Sequence, residues 1–478
     1  MGDWRTIAVG VAEIVMYIVL TTGIFQNLIQ IVQLIIAGNA LRDRPPVVDA
    51  KELLTRYSDV APAITVIAPA FNESATITSS IQSMLGLRYP RFDIIIVNDG
   101  STDDTLAILT REYALAPDPR PFDPVLAHQP VTAIYRSTIH PQLVVMDKIN
   151  GGKADAQNAG VNLSTNPLFL IVDGDTLLEP DALIRSAQSF MDDPVRTIAI
   201  GGALRIANGS RMRDGRVREV DLPAKLLPRI QIVEYLRSFL MTRHAMAKVN
   251  CLMIISGAFG LFRKDVVVAI GGYTSGSMGE DLDIVIRLHR YMRDSGADYR
   301  IGFVPEPMCW TEVPETLKIL GRQRARWQNG ALDCFFRYRH MVLNPNYGRI
   351  GIFGFGQMLI VDVIGPIVEV LGYFTIPLFY FLGALSWASL IVYIAVVFAL
   401  GVFVSIASFI LAEMQLRPYP RPIHLAELGA AAIIENFGYR QLHNFWRLRG
   451  YWSYLRGQHT WGEMPRVGFD EAAGRTAP

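Results

Sequence analysis

The sequence predicts an α/β domain with a parallel sheet, combined with α-helices that span or lie on a membrane. In the middle of the chain short β-branched runs alternate with helical patterns, and long uncharged apolar segments stand on both sides of that region. Charged residues make up 19% of the chain and apolar residues 51%, whereas soluble proteins carry about 25% charge. The chain has 478 residues, and single cores usually stop growing near ~250–300 residues, so we expect several domains.

The first element is a predicted transmembrane helix within residues 1–41. No charged residue occurs from Ile14 to Leu41, and about 20 apolar residues suffice to cross a bilayer. A cleaved signal peptide would have an apolar region of only ~7–15 residues. The stretch is too long for that alternative.

A second apolar block predicts a transmembrane helical hairpin over residues 350–412. It is free of charge from Val370 to Ala412, and its two helices would join near Gly383–Trp387. The first of these helices contains Asp362 and Glu369. Acids at membrane depth usually face protein or a water-filled path, and a position of both acids at the membrane interface is an equally good interpretation.

The Lys and Arg residues near the spans predict their orientation. Arginines follow the first helix and the hairpin, whereas the turn of the hairpin has no Lys or Arg. Positive residues near spans stay on the cytoplasmic side, so we expect residues 42–349 and the tail 413–478 to be cytoplasmic.

From Tyr439 to Tyr454 aromatic residues alternate with arginines, which is typical of a helix in the headgroup layer. The helical pattern at Pro228–Val249 fits a similar surface helix or ordinary core packing.

Between the membrane parts, three apolar runs predict buried parallel strands. Ligands of such sheets bind at the carboxyl ends of the strands, and a polar cluster follows each run. The runs are Ala63–Ala68, Phe92–Val97 and Leu168–Val172, and the clusters contain Asn72 and Glu73, then Asn98 and Asp99, then Asp173 and Asp175. Loops and helix caps use the same residue types, but three clusters at successive strand ends favour a binding site.

The pair Asp173 and Asp175 suits a divalent cation. Mg²⁺ and Mn²⁺ prefer oxygen ligands, and Mg²⁺ in particular is commonly completed by substrate phosphates. Gly151-Gly152-Lys153 adds a flexible turn and an ammonium, a candidate phosphate contact. It does not fit the Gly-x-x-x-x-Gly-Lys-Ser/Thr pattern, so an ATPase loop is excluded.

Two later segments carry further candidate residues. Glu280 and Asp281 open an amphipathic helix, where acids also stabilise the helix N-terminus, and both roles are compatible. Gln323–Trp327 places arginines beside a tryptophan. The planar guanidinium suits a diphosphate and the indole suits a sugar face.

Charge and cysteine content exclude other classes of protein. Lys and Arg total 45 against 44 Asp and Glu, so the chain lacks the basic field that drives nucleic-acid binding, and we expect no nucleic-acid partner. Three cysteines without metal-ligand spacing support neither a disulfide framework nor a zinc site.

Taken in order, these motifs resemble the family 2 glycosyltransferases, specifically the membrane-embedded processive branch that includes cellulose, chitin, hyaluronan and poly-N-acetylglucosamine synthases. The resemblance runs from about Ala63 to Trp327, and the flanking helices fit the same branch. It implies a GT-A-type (Rossmann-like) fold and a bacterial inner-membrane, multi-pass location. The matching segments are Asn72-Glu73, Asn98-Asp99-Gly100-Ser101, Gly152-Lys153, Asp173-Gly174-Asp175, Ser256-Gly257-Ala258-Phe259, Gly279-Glu280-Asp281 and Gln323-x-x-Arg326-Trp327.

The resemblance implies a role for each candidate residue. Nucleotide and donor binding falls to Asn72, Glu73, Asp99, Lys153 and Asp173, with Asp99 reading the base. Asp175 is the implied ligand of Mg²⁺ or Mn²⁺, and Asp281, beside Glu280, is the implied general base. The diphosphate and the acceptor are implied to contact Gly257, Gln323, Arg326 and Trp327. Asn98 stands where many relatives carry an acid, which leaves the base less certain.

The expected activity is processive, inverting β-glycosyl transfer from a UDP-sugar, UDP-N-acetylglucosamine or UDP-glucose, to a growing glycan that is exported through the lipid bilayer. A non-processive transferase acting on a lipid carrier and an inactive sugar-nucleotide-binding scaffold are the alternatives.

In the tail, Trp461 and Arg466 lie in a segment similar to the Trp-Gly gate of hyaluronan-type synthases. They are candidate gate residues, and a tail packed on the domain is the alternative.

Overall fold

A computed structural model describes residues 3–42, 49–383, 385–416, 419 and 421–457 of the chain. These residues form two compact units. The helical unit is drawn from Met1–Arg42, Arg229–Ala245 and Pro314–Gly462, and the sheet unit from Asp43–Pro228 and Met246–Val313.

The sheet unit is built on a mixed sheet of ten strands, counted within the described residues, in the order β3-β4-β5-β2-β1-β6-β11-β8-β12-β7. A separate two-stranded hairpin pairs β9 with β10. The strands are β1 Ile64–Ala70, β2 Phe92–Asp99, β3 Leu115–Pro117, β4 Val131–Ser137, β5 Leu143–Lys148, β6 Leu168–Ile171, β7 Leu177–Leu178, β8 Thr197–Ile206, β9 Arg211–Arg213, β10 Arg216–Glu219, β11 Gly260–Arg263 and β12 Arg300–Thr311.

The three strands expected from the apolar runs are β1, β2 and β6, and they are adjacent in the sheet. β1 pairs in parallel with β2 on one side and with β6 on the other. All seven residues of β1 and all four of β6 are buried, which explains why these runs carry no polar alternation. The predicted α/β sheet is therefore confirmed.

The described residues contain sixteen α-helical segments. They are α1 Asp3–Arg42, α2 Ala50–Tyr57, α3 Ile77–Leu85, α4 Thr105–Glu112, α5 Lys153–Leu163, α6 Ala182–Asp192, α7 Leu226–Tyr235, α8 His244–Lys248, α9 Lys264–Ala269, α10 Glu280–Asp294, α11 Leu317–Arg337, α12 Phe355–Gln357, α13 Gly365–Phe381, α14 Trp387–Leu416, α15 Pro422–Ile434 and α16 Arg440–Leu455. π-Helical turns join α7 to α8, α12 to α13 and α15 to α16.

Helix α5 packs closely on β1 and β2. Its first residue lies at the carboxyl edge of these strands. An added Cβ at Gly160 would lie 2.4 Å from Ile67 Cγ2 and 3.2 Å from Val97 Cγ2, so only glycine allows this approach. Ala159 of α5 belongs to the same buried cluster as Ile67 and as Ile284 of α10. Helices α5 and α10 thereby share one apolar core with the sheet.

Three helical stretches of the helical unit are long and apolar enough to cross a membrane. They span Val9–Arg42, Ile350–Phe381 and Trp387–Met414, which corresponds to the predicted first helix and the predicted hairpin. The first stretch lies within the predicted residues 1–41 except for its last residue, Arg42, and it includes the acid Glu13.

A proline near the centre of the second stretch removes one backbone hydrogen bond of the helix. Pro366 has no N–H to donate to the carbonyl of Asp362 one turn earlier. That carbonyl accepts instead from the Gln328 side chain at 2.7 Å and from the Tyr451 hydroxyl at 3.0 Å. The Asp362 carboxylate pairs with Arg447 at 2.9 Å. Neighbouring helices thus satisfy the freed backbone group, which a helix placed in a membrane would require.

The second acid of this stretch also contacts α16. The Glu369 carboxylate accepts from Asn444 at 2.7 Å and from the Tyr373 hydroxyl at 3.3 Å. Both acids therefore face protein. The outer face of α16 leaves Trp452 57% and Leu455 74% exposed, which agrees with the aromatic and basic composition expected of a helix at a membrane surface.

Candidate active site

The carboxyl ends of β1, β2 and β6 meet at one edge of the sheet, and the polar clusters predicted from the sequence lie there. Ala70 of β1 is level with Asn98 of β2, and Ile67 is level with Ile171 of β6. The loops that follow these strands carry Asn72, Asp99 and Asp173. Parallel pairing alone therefore brings together residues that are far apart in the sequence.

Asn72 connects the loop after β1 to the loop after β2. Its side-chain oxygen accepts the backbone N–H of Thr102 at 2.8 Å and that of Asp103 at 3.3 Å. Its own N–H donates to the Ser101 hydroxyl at 3.0 Å. The backbone of Asn72 has φ 56°, a left-handed conformation that asparagine adopts more readily than most residues.

Glu73 lies beside the Asp-x-Asp segment. Its carboxylate accepts from the Thr76 hydroxyl at 2.7 Å. An added Cβ at Gly174 would lie 3.5 Å from Glu73 Cγ and 2.8 Å from the Pro69 carbonyl oxygen. The glycine between Asp173 and Asp175 is therefore needed for the close approach of that segment to β1.

Asp99 is buried and takes part in a charged cluster at the ends of β2 and β5. The Lys148 ammonium lies 2.5 Å from Asp99 and 2.6 Å from Asp155. Asp99 also accepts the N–H groups of Gly151 and Gly152 at 3.0 and 2.8 Å. Sequence reasoning overlooked Lys148 and Asp155. The available signal was a charged residue that ends the otherwise apolar run Leu143–Met146, because lysine is seldom buried without a partner.

Lys153 forms ion pairs with acids from two other segments, the loop after β6 and the start of α10. It is the first residue of α5, and its ammonium lies 2.6 Å from Asp173 Oδ1 and 3.0 Å from Glu280 Oε1. Burial by itself would lower the pKa of Lys153, but Asp173 and Glu280 outweigh burial and raise that pKa above its ordinary value. The side chain therefore stays a cation.

Gly257 borders this cation. An added Cβ would lie 2.6 Å from Lys153 Nζ and 3.6 Å from Asp173 Oδ1. The turn of Ser256 to Phe259 thus leaves room for the ammonium only because residue 257 has no side chain. The structure brings together Gly257, Lys153, Asp173 and Glu280, all of which the sequence had proposed for the site.

Glu280 and Asp281, at the start of α10, have different surroundings. The Glu280 side chain is only 8% exposed and pairs with Lys153. Asp281 is partly exposed, and its carboxylate accepts the N–H of Leu282 at 2.9 Å. Asp281 also contributes to the raised pKa of Lys153. Of the two acids, Asp281 is the more exposed.

Asp175 offers hard oxygen atoms at the same edge and is 5% exposed. Among the described residues no three His, Cys, Asp or Glu side chains converge as a metal-binding group. Mg²⁺ commonly uses one or two carboxylates and is completed by substrate phosphates and water. The donor set fits a cation that arrives with a diphosphate and does not fit an all-protein metal cage.

The motif residues Gln323, Arg326 and Trp327 belong to α11 in the helical unit. Their spacing of three and four residues places them on one helix face. Trp327 is 45% exposed, and the guanidinium of Arg324 lies 4.5 Å from the centre of its ring. Arg324 pairs in turn with Glu234 at 2.7 Å. The candidate gate residues Trp461 and Arg466 lie outside the described residues.

Two family models match the sheet unit and the start of α11. The model described as Glycosyl transferase family 2 matches residues 65–122, and the model described as Glycosyltransferase like family 2 matches residues 129–330. Together they cover every motif named above from Asn72 to Trp327.

Curated relatives match the same part of the chain. The chain is 29% identical over 280 residues to poly-beta-1,6-N-acetyl-D-glucosamine synthase of Staphylococcus aureus (strain COL). It is 28% identical over 275 residues to the enzyme of that name from Staphylococcus epidermidis. These matches span 58% and 57% of this chain and only 57% and 56% of the relatives.

One similar solved structure is that of the mannosyltransferase PcManGT from Pyrobaculum calidifontis, determined with GDP-Man and Mn²⁺. The match has a TM-score of 0.56 and 15% identity, and it covers 94% of this chain and 99% of that one. At that identity the likeness concerns the fold. It confirms the expected GT-A type of α/β sheet with attached apolar helices.

Proposed function

Because the chain belongs to glycosyltransferase family 2, we propose that it transfers a sugar from a nucleoside-diphosphate donor to the end of a growing polysaccharide. The observation that carries this proposal is the contact of Lys153 with both Asp173 and Glu280, beside Gly257. In this proposal the cation would contact the diphosphate, and the flanking acids and the turn at Gly257 would lie beside the sugar ring and the incoming hydroxyl.

Asp281 is the proposed general base. Inverting transfer needs a base within hydrogen-bond reach of the acceptor hydroxyl and a group that stabilises the departing diphosphate. A carboxylate is already in its basic form near neutral pH, and Asp281 is more exposed than its neighbour Glu280. Glu280 instead fixes the Lys153 ammonium from the side of α10.

Asp175 is the proposed ligand for Mg²⁺ or Mn²⁺. When bound, such an ion neutralises charge that develops on the leaving diphosphate. The residues of the chain then hold the donor around it, with Lys153 near the phosphates and Asp173 toward the ribose or sugar. Hydrolases need two carboxylates on either side of the glycosidic bond, whereas the acids here are grouped at the end of one sheet.

UDP-N-acetylglucosamine is the proposed donor, with UDP-glucose as the alternative. Support for the first comes from the curated relatives, whose names describe poly-β-1,6-N-acetylglucosamine synthesis. Asp99 would accept from the base, and Asn72 and Glu73 would line that pocket. The proposed product is a polymer, since the relatives make one.

Processive addition and export are proposed from the helical unit. Gln323, Arg326 and Trp327 share a face of α11, where a partly exposed indole suits the acceptor end of a glycan. Three stretches are long and apolar enough to cross a membrane. We place them in the inner membrane of a bacterium, with residues 42–349 and the tail 413–478 in the cytoplasm, and we take the lipid bilayer and the growing glycan as partners.

The test is to supply the purified, lipid-reconstituted chain with several nucleotide sugars and Mg²⁺ or Mn²⁺, and to follow nucleoside diphosphate release and product size. We expect UDP release with UDP-N-acetylglucosamine and a ladder or long polymer. A single lipid-linked sugar would indicate the non-processive alternative, and donor binding without turnover would indicate the scaffold. In sealed inverted vesicles, polymer found only on the outer, cytoplasmic side would contradict export.

A further inference from the structure

Lys148 lies at the centre of a contact network that leads to the candidate active site, although no sequence motif points to it. Its side chain is fully buried, as are nearly all atoms of its two acidic partners, Asp99 and Asp155. We propose that Lys148 is a positioning residue that holds the turn Asn150–Gly152 in the shape that receives the nucleoside diphosphate. The inference rests on the proposed function, because it assigns the nucleotide to that turn.

All the donors of Lys148 are used inside the protein. An ammonium has three N–H donors, and this one contacts Asp99 at 2.5 Å, Asp155 at 2.6 Å and the Ile149 carbonyl oxygen at 2.6 Å. A substrate would therefore find no open donor on Lys148. Its effect must pass through the two carboxylates that it holds.

The Asp99 carboxylate transmits that effect to the turn. One of its oxygens accepts from Gly151 N–H at 3.0 Å in addition to Lys148, and the other accepts from Gly152 N–H at 2.8 Å. The Asn150 side chain donates to the Asp99 backbone oxygen at 2.7 Å. A carboxylate has about four acceptor positions, so roughly one remains on Asp99. In the proposed function, a single N–H of the base would fill that position.

Asp155 anchors the other side of the cluster. It lies in the first turn of α5, and its two oxygens accept the N–H of Gln129 at 3.1 and 2.9 Å. Lys148 thus ties the end of β5 to the loop before β4 and to the start of α5. The next residue after the turn is Lys153, which reaches Asp173 and Glu280.

The turn Asn150–Gly152 packs directly against the loop that follows β2. Gly152 has φ 88° and Gly100 has φ 67°, and both values favour glycine. An added Cβ at Gly100 would lie 2.8 Å from Asn150 N. The loops after β2 and β5 are therefore in direct contact, and a shift of Asp99 would displace the backbone of the turn.

Charge balance supplies the test. The cluster of Lys148, Asp99 and Asp155 carries a formal charge of minus one, from two carboxylates and one ammonium. Lys148→Met alone leaves two buried carboxylates facing each other, a costly arrangement. Lys148→Met combined with Asp155→Asn restores the formal charge of minus one while the lysine contact to Asp99 stays absent.

The experiment measures UDP affinity, donor KM, kcat and Tm on the lipid-reconstituted full chain. For the double variant we expect a Tm between those of Lys148→Met and the wild type, because Asp99 alone stays buried without its cation. We also expect roughly tenfold weaker UDP binding and higher donor KM, with a change in kcat below about threefold. Such a split between KM and kcat indicates lost positioning. A stable double variant with the UDP affinity and donor KM of the wild type would overturn the proposal.

Gly152→Ala is a second variant that perturbs the same turn without altering the charges. An added Cβ there has nothing within 4 Å, so it strains the backbone at φ 88° and creates no clash. We expect it also to weaken UDP binding, and unchanged UDP binding would overturn the assignment of the nucleotide to this turn. Wild-type chain that binds UDP without turnover contradicts only the proposed transfer, whereas wild-type chain that does not bind UDP contradicts both.

Discussion

Gly257→Ala tests whether the position of the Lys153 ammonium controls donor use. The added Cβ would lie 2.6 Å from Lys153 Nζ, whereas non-bonded carbon and nitrogen atoms settle about 3.4 Å or more apart. The ammonium is the free end of a flexible side chain, so it can retreat by about 0.8 Å without disturbing the backbone. We therefore expect a functional effect with little change in Tm.

The contacts of Lys153 set the size of that effect. A retreat of about 0.8 Å away from both acids would lengthen the contacts to Asp173 and Glu280, which are now 2.6 and 3.0 Å. At an effective dielectric constant of about 20, the pair with Asp173 would lose about 1.5 kcal/mol and the pair with Glu280 about 1.2 kcal/mol. The sum of about 2.7 kcal/mol sets an upper limit of about 100-fold on the loss in donor kcat/KM.

The assay is steady-state UDP release from the reconstituted chain, with thermal unfolding measured on the same samples. Gly429→Ala is the control glycine substitution, because Gly429 lies in α15 of the helical unit and its added Cβ would have nothing within 4 Å. Lys153→Met is the second substitution of a double-mutant cycle with Gly257→Ala. Once the ammonium is gone, Gly257→Ala should cause no further loss.

Two results would refute this reasoning. Donor kcat/KM within twofold of wild type for Gly257→Ala would mean that the ammonium position is unimportant. An equal loss in the presence and absence of Lys153 would mean that residue 257 acts on the donor or acceptor directly.

Three further predictions concern the base, the pH range of stability and the membrane helices. Asp281→Asn should lower kcat by about 10²- to 10⁴-fold with metal-dependent UDP binding nearly unchanged, and near-normal turnover would remove the base assignment. Burial lowers the pKa of His289 to about 4, below its value of about 6.5 in an unfolded chain. The unfolded chain therefore binds the proton first, and stability should fall by roughly 2 kcal/mol from pH 6.5 to pH 5, a slope that His289→Gln should remove from thermal unfolding curves. Arg447→Met should destabilise the helical unit by about 1–3 kcal/mol, because Asp362 loses its partner, and adding Asp362→Asn should recover part of the lost Tm; no recovery would show that the charge of Asp362 is not the cause.

The main strands and the apolar spans could be predicted because their signals are local. A continuous apolar run is typical of a strand that is buried on both faces of a sheet, and β1, β2 and β6 start within one residue of the predicted positions. The apolar stretches of the helical unit correspond in the same way to the predicted spans. The rule that ligands bind at strand carboxyl ends then located Asn72, Asp99 and Asp173 at one edge.

The partners of individual charges could not be predicted in that way. The contact of Lys148 with Asp99 joins residues 49 apart in sequence, and that of Arg447 with Asp362 joins residues 85 apart. Sequence patterns placed Asp362 either against protein or at the interface, and only the packing of α16 shows its partner. Likewise, the sequence did not show which of the two neighbouring acids, Glu280 or Asp281, forms the ion pair with Lys153. The structure shows that Glu280 does.

The sequence by itself determined the type of sheet, the apolar helices and the edge at which polar residues gather, because periodicity, length and strand direction are properties of short segments. Only the tertiary structure decided which acid each buried cation holds, that Lys148 supports the turn next to Asp99, and that Gly257 makes room for Lys153. Those choices depend on distances of 2.5 to 3.0 Å between side chains from different strands and helices, and electrostatic and steric energies change steeply over such distances.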